Sequence, residues 1–270
     1  MTSIQALILG FIQGVTEFLP ISSSGHLLIF PYFFNWDSSL NFDILVHFAS
    51  AFALLIYFNN TWIELIKSIY FDIFKDKKAL NEYSFNTFLA IKIVLANIPV
   101  VIIGLIFKDF FEGIRSPYLV SIQLVVVSVI MLIAENYQSK NIDKKDKISF
   151  IDAILIGISQ ILAFLPGTSR SGITISVGLL RGISREDAAR FTFLLVTPLI
   201  VMIAIYDMFS LNLNQLLTIQ NVIGFISSLV FSIVSIRFLL NFVKNYTLKI
   251  FIIYRILLAI LILIVVMLNR

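Results

Sequence analysis

The chain alternates long apolar stretches with short polar ones. Six of the apolar stretches, near 41–58, 86–107, 117–135, 187–206, 219–240 and 250–268, are long enough to cross a membrane. A hydrocarbon core of about 30 Å takes roughly 20 helical residues. Two further apolar segments, 2–34 and 150–181, are each interrupted in the middle by a proline, Pro20 and Pro166. Their halves of roughly 15 residues give about 22 Å of helix, too short for a comfortable crossing. Both are expected to be re-entrant hairpins that return to the side they entered from. Non-helical backbone at that depth survives only where protein or a watery cavity covers it.

The two broken segments carry one pattern twice, 147 positions apart. Residues 10–25 read GFIQGVTEFLPISSSG and residues 157–172 read GISQILAFLPGTSRSG, with Gly10/Gly157, Gln13/Gln160, Ser22/Ser169, Ser24/Ser171 and Gly25/Gly172 in register. Each copy precedes three spans. The chain therefore reads as one membrane domain, 1–270, built of repeats 1–136 and 150–270. A hairpin makes no net crossing and three spans are an odd number, so the second repeat is inverted and the hairpin tips meet near the midplane. The expected fold class is an all-α integral membrane protein with six transmembrane helices, two re-entrant helical hairpins and an inverted-topology repeat.

Composition agrees. Hydrophobic residues make up 59% of the chain and charged ones 13%, with a mean hydropathy of +0.97. A soluble domain has about a quarter charged residues, so this excess of apolar side chains has no soluble core to fill. No Lys or Arg precedes the first apolar stretch and no small-residue cleavage site follows it, so no signal peptide is expected. The absence of cysteine removes disulfides, thiolate nucleophiles and Cys-metal sites. The net charge of +4 needs no nucleic acid, since basic loops beside an anionic leaflet account for it. Loops 59–85, 136–149 and 241–249 carry Lys67, Lys75, Lys77, Lys78, Lys140, Lys144, Lys145, Lys147, Lys244 and Lys249. The other side has Lys108, Arg115 and Arg270, and loop 207–218 has no basic residue. The positive-inside rule makes the lysine-rich side cytoplasmic and leaves both termini outside.

The candidate chemistry gathers at the breaks. Gln13 and Glu17 are four apart on one helical face, and a carboxylate at membrane depth marks a functional site unless it sits at the headgroups. After Pro20 come Ser22, Ser23, Ser24, Gly25 and His26: hydroxyls that bind phosphate oxygens or act as nucleophile, and an imidazole that moves protons near neutral pH. A plain N-cap explains one serine of the three. In the second segment Arg170, flanked by Ser169 and Ser171 at the start of a half-helix, suits a phosphate, with Thr168 and Thr174 extending the hydroxyl set. The bland reading pairs Arg170 with Glu17. Arg255, inside the last span, is either a second anion ligand or a snorkelling residue. His47 reads as packed or hydrogen-bonded rather than catalytic, and Glu135, Arg237, Lys92 and Lys108 read as interfacial anchors.

These residues carry a resemblance. QGVTEFLPISSSGH at 13–26 and PGTSRSG at 166–172 resemble the signatures of the undecaprenyl-diphosphate phosphatases, the bacitracin-resistance membrane phosphatases of bacteria, and the likeness runs through the whole chain to Tyr254-Arg255. It implies removal of the terminal phosphate of a polyprenyl diphosphate on the outer side of the plasma membrane. That reaction recycles the lipid carrier for cell-wall synthesis and needs a divalent cation, Mg²⁺ or Ca²⁺. It also implies catalytic roles for Glu17, His26, Ser23 and Arg170. Ser22, Ser24, Ser169, Ser171, Thr174 and Arg255 would bind substrate phosphate, and Glu17 with Gln13 the metal. Gln13 stands where many members have a second glutamate, which leaves Glu17 most of the metal's charge. Either Ser23 attacks to form a phosphoserine, or His26 and Glu17 activate water. The implied partners are the lipid substrate and surrounding lipid, with no nucleic acid, and a homodimer is compatible with them. The rival reading is a secondary transporter or flippase for an anionic lipid phosphate, whose architecture also uses broken helices in inverted repeats.

Overall fold

In the computed structural model the residues described are 1–36, 39–114, 116–140, 145, 147–208 and 218–268. Arg115, Lys144, Arg270 and most of loop 207–218, which entered the charge argument, lie outside them. The described residues form twelve helices: α1 (Ser3–Phe18), α2 (Ser23–Phe34), α3 (Leu40–Tyr57), α4 (Asn59–Ile69), α5 (Phe85–Ile106), α6 (Lys108–Gly113), α7 (Pro117–Lys140), α8 (Phe150–Ser159), α9 (Arg170–Leu180), α10 (Arg185–Met208), α11 (Ile219–Asn245) and α12 (Lys249–Leu268). Capping sets several starts. Thr2 and Gln5 close a capping box on α1, and Ser149 and Asp152 close one on α8. Pro117 opens α7, where a missing N–H does no harm.

Five helices (Phe85–Ile106, Pro117–Lys140, Arg185–Tyr206, Ile219–Asn245 and Lys249–Leu268) are long and apolar enough to cross a membrane. A sixth span exists if Asn41–Tyr57 and Asn59–Lys75, bent by 69° at their junction, count as one. This is a multi-pass membrane protein. The stretch 59–85, expected as a plain loop, instead continues as α4, a π-helical turn (Tyr70–Lys75) and a 3₁₀ turn (Leu80–Glu82). The reason is legible in hindsight: Leu65 is buried while Ile63 and Ile66 face outward, giving a surface helix one apolar anchor. The two proline-broken segments fold as α1–turn–α2 and α8–3₁₀–turn–α9.

The two halves of the chain interlock. α1 packs chiefly on α11, from the far half, and α8 packs on α5, from the near half; α3 lies against α10 and α11, and α7 against α12 and α9. Small residues at register-related places make both crossings close. A side chain at Gly10 would collide with the Gly224 carbonyl, and one at Gly157 with the Ala96 carbonyl. With no hydrophobic drive between helices in lipid, such close backbone contact is a main source of association.

Ionic clasps tie the lysine-rich end. Asp152, fully buried, takes Lys145 Nζ at 2.9 Å and Arg181 Nε at 2.7 Å. Glu135, expected as an interfacial anchor, is buried and accepts Arg185 Nη2 at 2.5 Å and the Leu248 amide at 2.8 Å. Asp72 gathers Lys78, Thr87 and the Ser84 amide. Gly157→Val is expected to destabilise by overpacking, at about 1–3 kcal/mol. It should lower the thermal midpoint of purified protein, while Gly113→Ala, where an added Cβ meets nothing within 4 Å, should not.

Candidate active site

Each break is built the same way. Ser22 sits at φ 77° and its Oγ accepts from the Gly25 amide at 3.3 Å; Ser169 sits at φ 69° and its Oγ accepts from the Gly172 amide at 3.2 Å. Both are N-caps held in a left-handed conformation that only surrounding structure stabilises for a residue with a Cβ. In each turn a second hydroxyl, Ser24 or Ser171, lies 3.3 Å from the capping one. Those second hydroxyls reach across to the opposite turn. Ser24 Oγ accepts from the Gly167 amide at 3.4 Å, and Ser171 Oγ donates to the Leu19 carbonyl at 3.2 Å.

Arg255 completes the joint. Its side chain is fully buried, with Nη1 donating to Pro20 O at 3.3 Å, Nη2 to Gly167 O at 3.1 Å and Thr168 O at 3.0 Å, and Nε to Ser128 Oγ at 3.2 Å. A helix stopped inside an apolar layer leaves carbonyls without partners. An always-charged planar fork is the side chain best shaped to satisfy several at once. Arg255 therefore does not reach the surface as a snorkelling residue would: its guanidinium binds the backbone of the two turns. Thr174 also lies inside the packing. It is fully buried, donates to Arg170 O at 2.8 Å and accepts from Thr192 at 3.0 Å, so its hydroxyl belongs to helix packing.

On this clasped frame three expected residues come together. Glu17, in the last turn of α1, accepts from Ser23 Oγ at 2.6 Å and from Gln13 Nε2 at 3.1 Å, both on Oε2. Arg170 opens α9 as Ser23 opens α2. Its charge acts on the Glu17 carboxylate, yet no ion pair within 4 Å joins Arg170 to Glu17, unlike the structural pairing that was the bland expectation. One guanidinium nitrogen of Arg170, Nη1, is buried with no hydrogen-bond partner, and so is Gln13 Oε1. A buried donor and a buried acceptor without partners are rare in a folded protein and call for an explanation.

His26 is not brought to this group. Its Nδ1 lies 2.6 Å from Ser22 O and its Nε2 lies 2.7 Å from the Tyr254 hydroxyl. Ser22 and Ser169 serve as caps, Ser171 is buried in the joint, and Thr168 bonds Gln123. Ser24 is exposed, and Ser23 and Arg170 are half-buried. Sequence reasoning missed Ser50, whose Oγ receives Gln13 Nε2 at 3.4 Å and contacts Ser228 and Ser232 at 3.2 and 3.1 Å. Serines four apart in a span, as at 228 and 232, were the available signal. Gln160, in the place of Gln13, meets Asn97 at 3.5 Å and no carboxylate.

Fold and site define a class: a polytopic helical membrane protein whose two helix breaks meet around a serine, a carboxylate and an arginine. The chain belongs to the bacitracin resistance protein BacA family, whose profile matches residues 6–261. It is 40% identical to an undecaprenyl-diphosphatase of Thermodesulfovibrio yellowstonii over 264 residues, covering 96% of this chain and 95% of the relative. It is 38% and 34% identical to proteins of the same name from Moorella thermoacetica and Desulforudis audaxviator, over the full length of both chains in each case. If Arg255 is a clasp, Arg255→Met strands several buried carbonyls, each worth about 1–3 kcal/mol. The variant should be lost from the folded, monodisperse fraction on size exclusion, with Arg255→Lys failing to rescue it and Arg170→Ala remaining folded.

Proposed function

We propose that the chain is a membrane phosphatase that hydrolyses undecaprenyl diphosphate to undecaprenyl phosphate and inorganic phosphate. This recycles the carrier for cell-wall synthesis and protects the cell from bacitracin. The observation that carries the reading is the 2.6 Å hydrogen bond from Ser23 Oγ to Glu17, beside the unpartnered Nη1 of Arg170. A hydroxyl on a carboxylate is a nucleophile with its base in place, and a free guanidinium donor suits the charge of a transferring phosphoryl group.

In the reaction, Ser23 Oγ attacks the terminal phosphorus. Its proton passes to Glu17, the bridging P–O bond breaks, and Glu17 gives that proton to the departing undecaprenyl phosphate, which leaves the carboxylate free. Water then attacks the phosphoserine with Glu17 as base, and Glu17 returns the proton to Ser23 Oγ as inorganic phosphate is released. Arg170 neutralises the equatorial oxygens in both steps. A divalent cation fits here. Glu17 and the orphaned Gln13 Oε1 are hard oxygen donors, and no cluster of three His, Cys, Asp or Glu exists among the described residues, so most of its remaining shell would be water and phosphate. When bound, Mg²⁺ or Ca²⁺ supplies Lewis-acid neutralisation of phosphate oxygens. The lysine-rich clasps lie at the end we assign to the cytoplasm of a bacterial plasma membrane. The hairpins are then re-entrant and the α1–α2 turn opens to the outer side.

Purified protein in proteoliposomes without an ion gradient should release phosphate from the lipid diphosphate, which a pure carrier does not do. Ser23→Ala and Arg170→Ala should each lower kcat/KM by about 10²–10³. Labelled phosphate should be trapped on Ser23 of the wild type, and near-normal turnover by Ser23→Ala excludes the covalent route. Chelation should abolish release. Gln13→Glu, by adding a second carboxylate, should lower the half-activating cation concentration roughly tenfold, read by direct cation binding as well as turnover.

A further inference from the structure

We infer that Tyr254 is a positioning residue for phosphoryl transfer: through His26 it holds the Ser22 carbonyl, and with it the backbone that presents Ser23 to Glu17. The inference rests on the phosphatase reading above and concerns what aligns its nucleophile.

His26 is buried, and both of its ring nitrogens are engaged. A carbonyl only accepts, so the Nδ1 facing Ser22 O at 2.6 Å carries the proton. In the neutral ring Nε2 is then the acceptor, and the Tyr254 hydroxyl at 2.7 Å donates to it. The two rings lie nearly parallel, 6° apart in plane with centroids at 5.7 Å, as suits a hydrogen bond along the in-plane lone pair of Nε2. Neither nitrogen is left for the Ser23 hydroxyl or for water, whereas Ser23 Oγ is already on Glu17. The imidazole is thus placed to hold backbone rather than to carry the proton of the reaction.

The backbone it holds is strained, because Ser22 sits at φ 77°. The next residue along α12, Arg255, takes Pro20 O, so one turn of α12 grips the carbonyls on both sides of Ile21. The other break shows that the imidazole is not needed to form such a turn. Ser169 has φ 69° and ψ 107° against 77° and 97° at Ser22, yet the place of His26 is taken by Ile173, whose amide alone bonds Ser169 O at 3.1 Å. The extra clamp belongs to the turn that carries a reacting hydroxyl. There a displacement of about 1 Å is worth roughly a hundredfold in rate, while Arg170, at the same place after the other turn, tolerates looser placement.

The chain itself provides the discriminating substitution. Asn97 Nδ2 donates to Ile93 O, four residues back in its helix, at 2.9 Å. Asparagine at position 26 can therefore donate to Ser22 O while lacking the nitrogen that faces Tyr254. The test compares steady-state phosphate release from lipid diphosphate by reconstituted wild type, Tyr254→Phe, His26→Ala, His26→Asn and the Tyr254→Phe/His26→Asn double variant, each first confirmed monodisperse. Tyr254→Phe and His26→Ala are expected to lose roughly ten- to a hundredfold in kcat with KM unchanged. His26→Asn should recover most of that loss, and Tyr254→Phe should then add nothing in the His26→Asn background, the non-additivity of residues acting through one another. The inference is overturned if His26→Asn is as inactive as His26→Ala, which makes the imidazole itself the proton carrier. It is equally overturned if Tyr254→Phe matches the wild type or multiplies its effect onto His26→Asn. A wild type silent on lipid diphosphate instead removes the phosphatase reading, and is recognised before any variant is compared.

Discussion

A helix halted inside an apolar layer must satisfy the carbonyls it abandons, and lipid offers no donors. Two helices of this protein stop within its packed interior, and one buried guanidinium answers both stops. Arg255 donates to Pro20 O at the first and to Gly167 O and Thr168 O at the second. A charge so deeply buried is tolerated because its donors meet oxygens from several elements. The consequence is geometric. The two turns have to lie side by side, and Ser24 and Ser171 then stitch each to the other.

That joint turns a repeated scaffold into an asymmetric site. The two turns share their caps, their left-handed serines and their close helix crossings at Gly10 and Gly157. They differ in the residues at matching places: Ser23 against Arg170, His26 against Ile173, Glu17 against Phe164. One copy supplies hydroxyl and carboxylate, the other supplies positive charge. Each copy also leaves a buried polar atom without a partner, such as Gln13 Oε1 in the first and Arg170 Nη1 in the second. Phosphoryl transfer gains mostly from positioning and charge, so a rigid joint of this kind is what the chemistry needs.

Much of this was legible in the sequence. Prolines at 20 and 166, the serine runs and the apolar periods placed both breaks, and five of the expected spans fall on helices long and apolar enough to cross a membrane. Features that depend only on nearby sequence, such as the serines that start a half-helix after each proline, could be located directly. The partners of Arg255 could not, because one arginine in a span looks the same whether it meets phosphate, headgroups or carbonyls 235 residues away in sequence. The partners of His26 were hidden for a related reason. Its proximity to Ser23 along the chain suggested shared chemistry, but its ring turns toward Tyr254 on the last helix. The bend after Tyr57 was hidden because hydropathy marks where a helix is apolar and says nothing about where its axis turns.

Because the chain has no cysteine of its own, the joint can be probed directly. Leu19→Cys and Ser171→Cys place one thiol on each turn, at residues joined by the 3.2 Å bond from Ser171 Oγ to Leu19 O. With a short bifunctional thiol reagent in native membranes, the account predicts rapid cross-linking within one chain, found by mass spectrometry of the joined peptides. Absence of that link, or links only between separate chains, would contradict the meeting of the two turns on which every other conclusion depends.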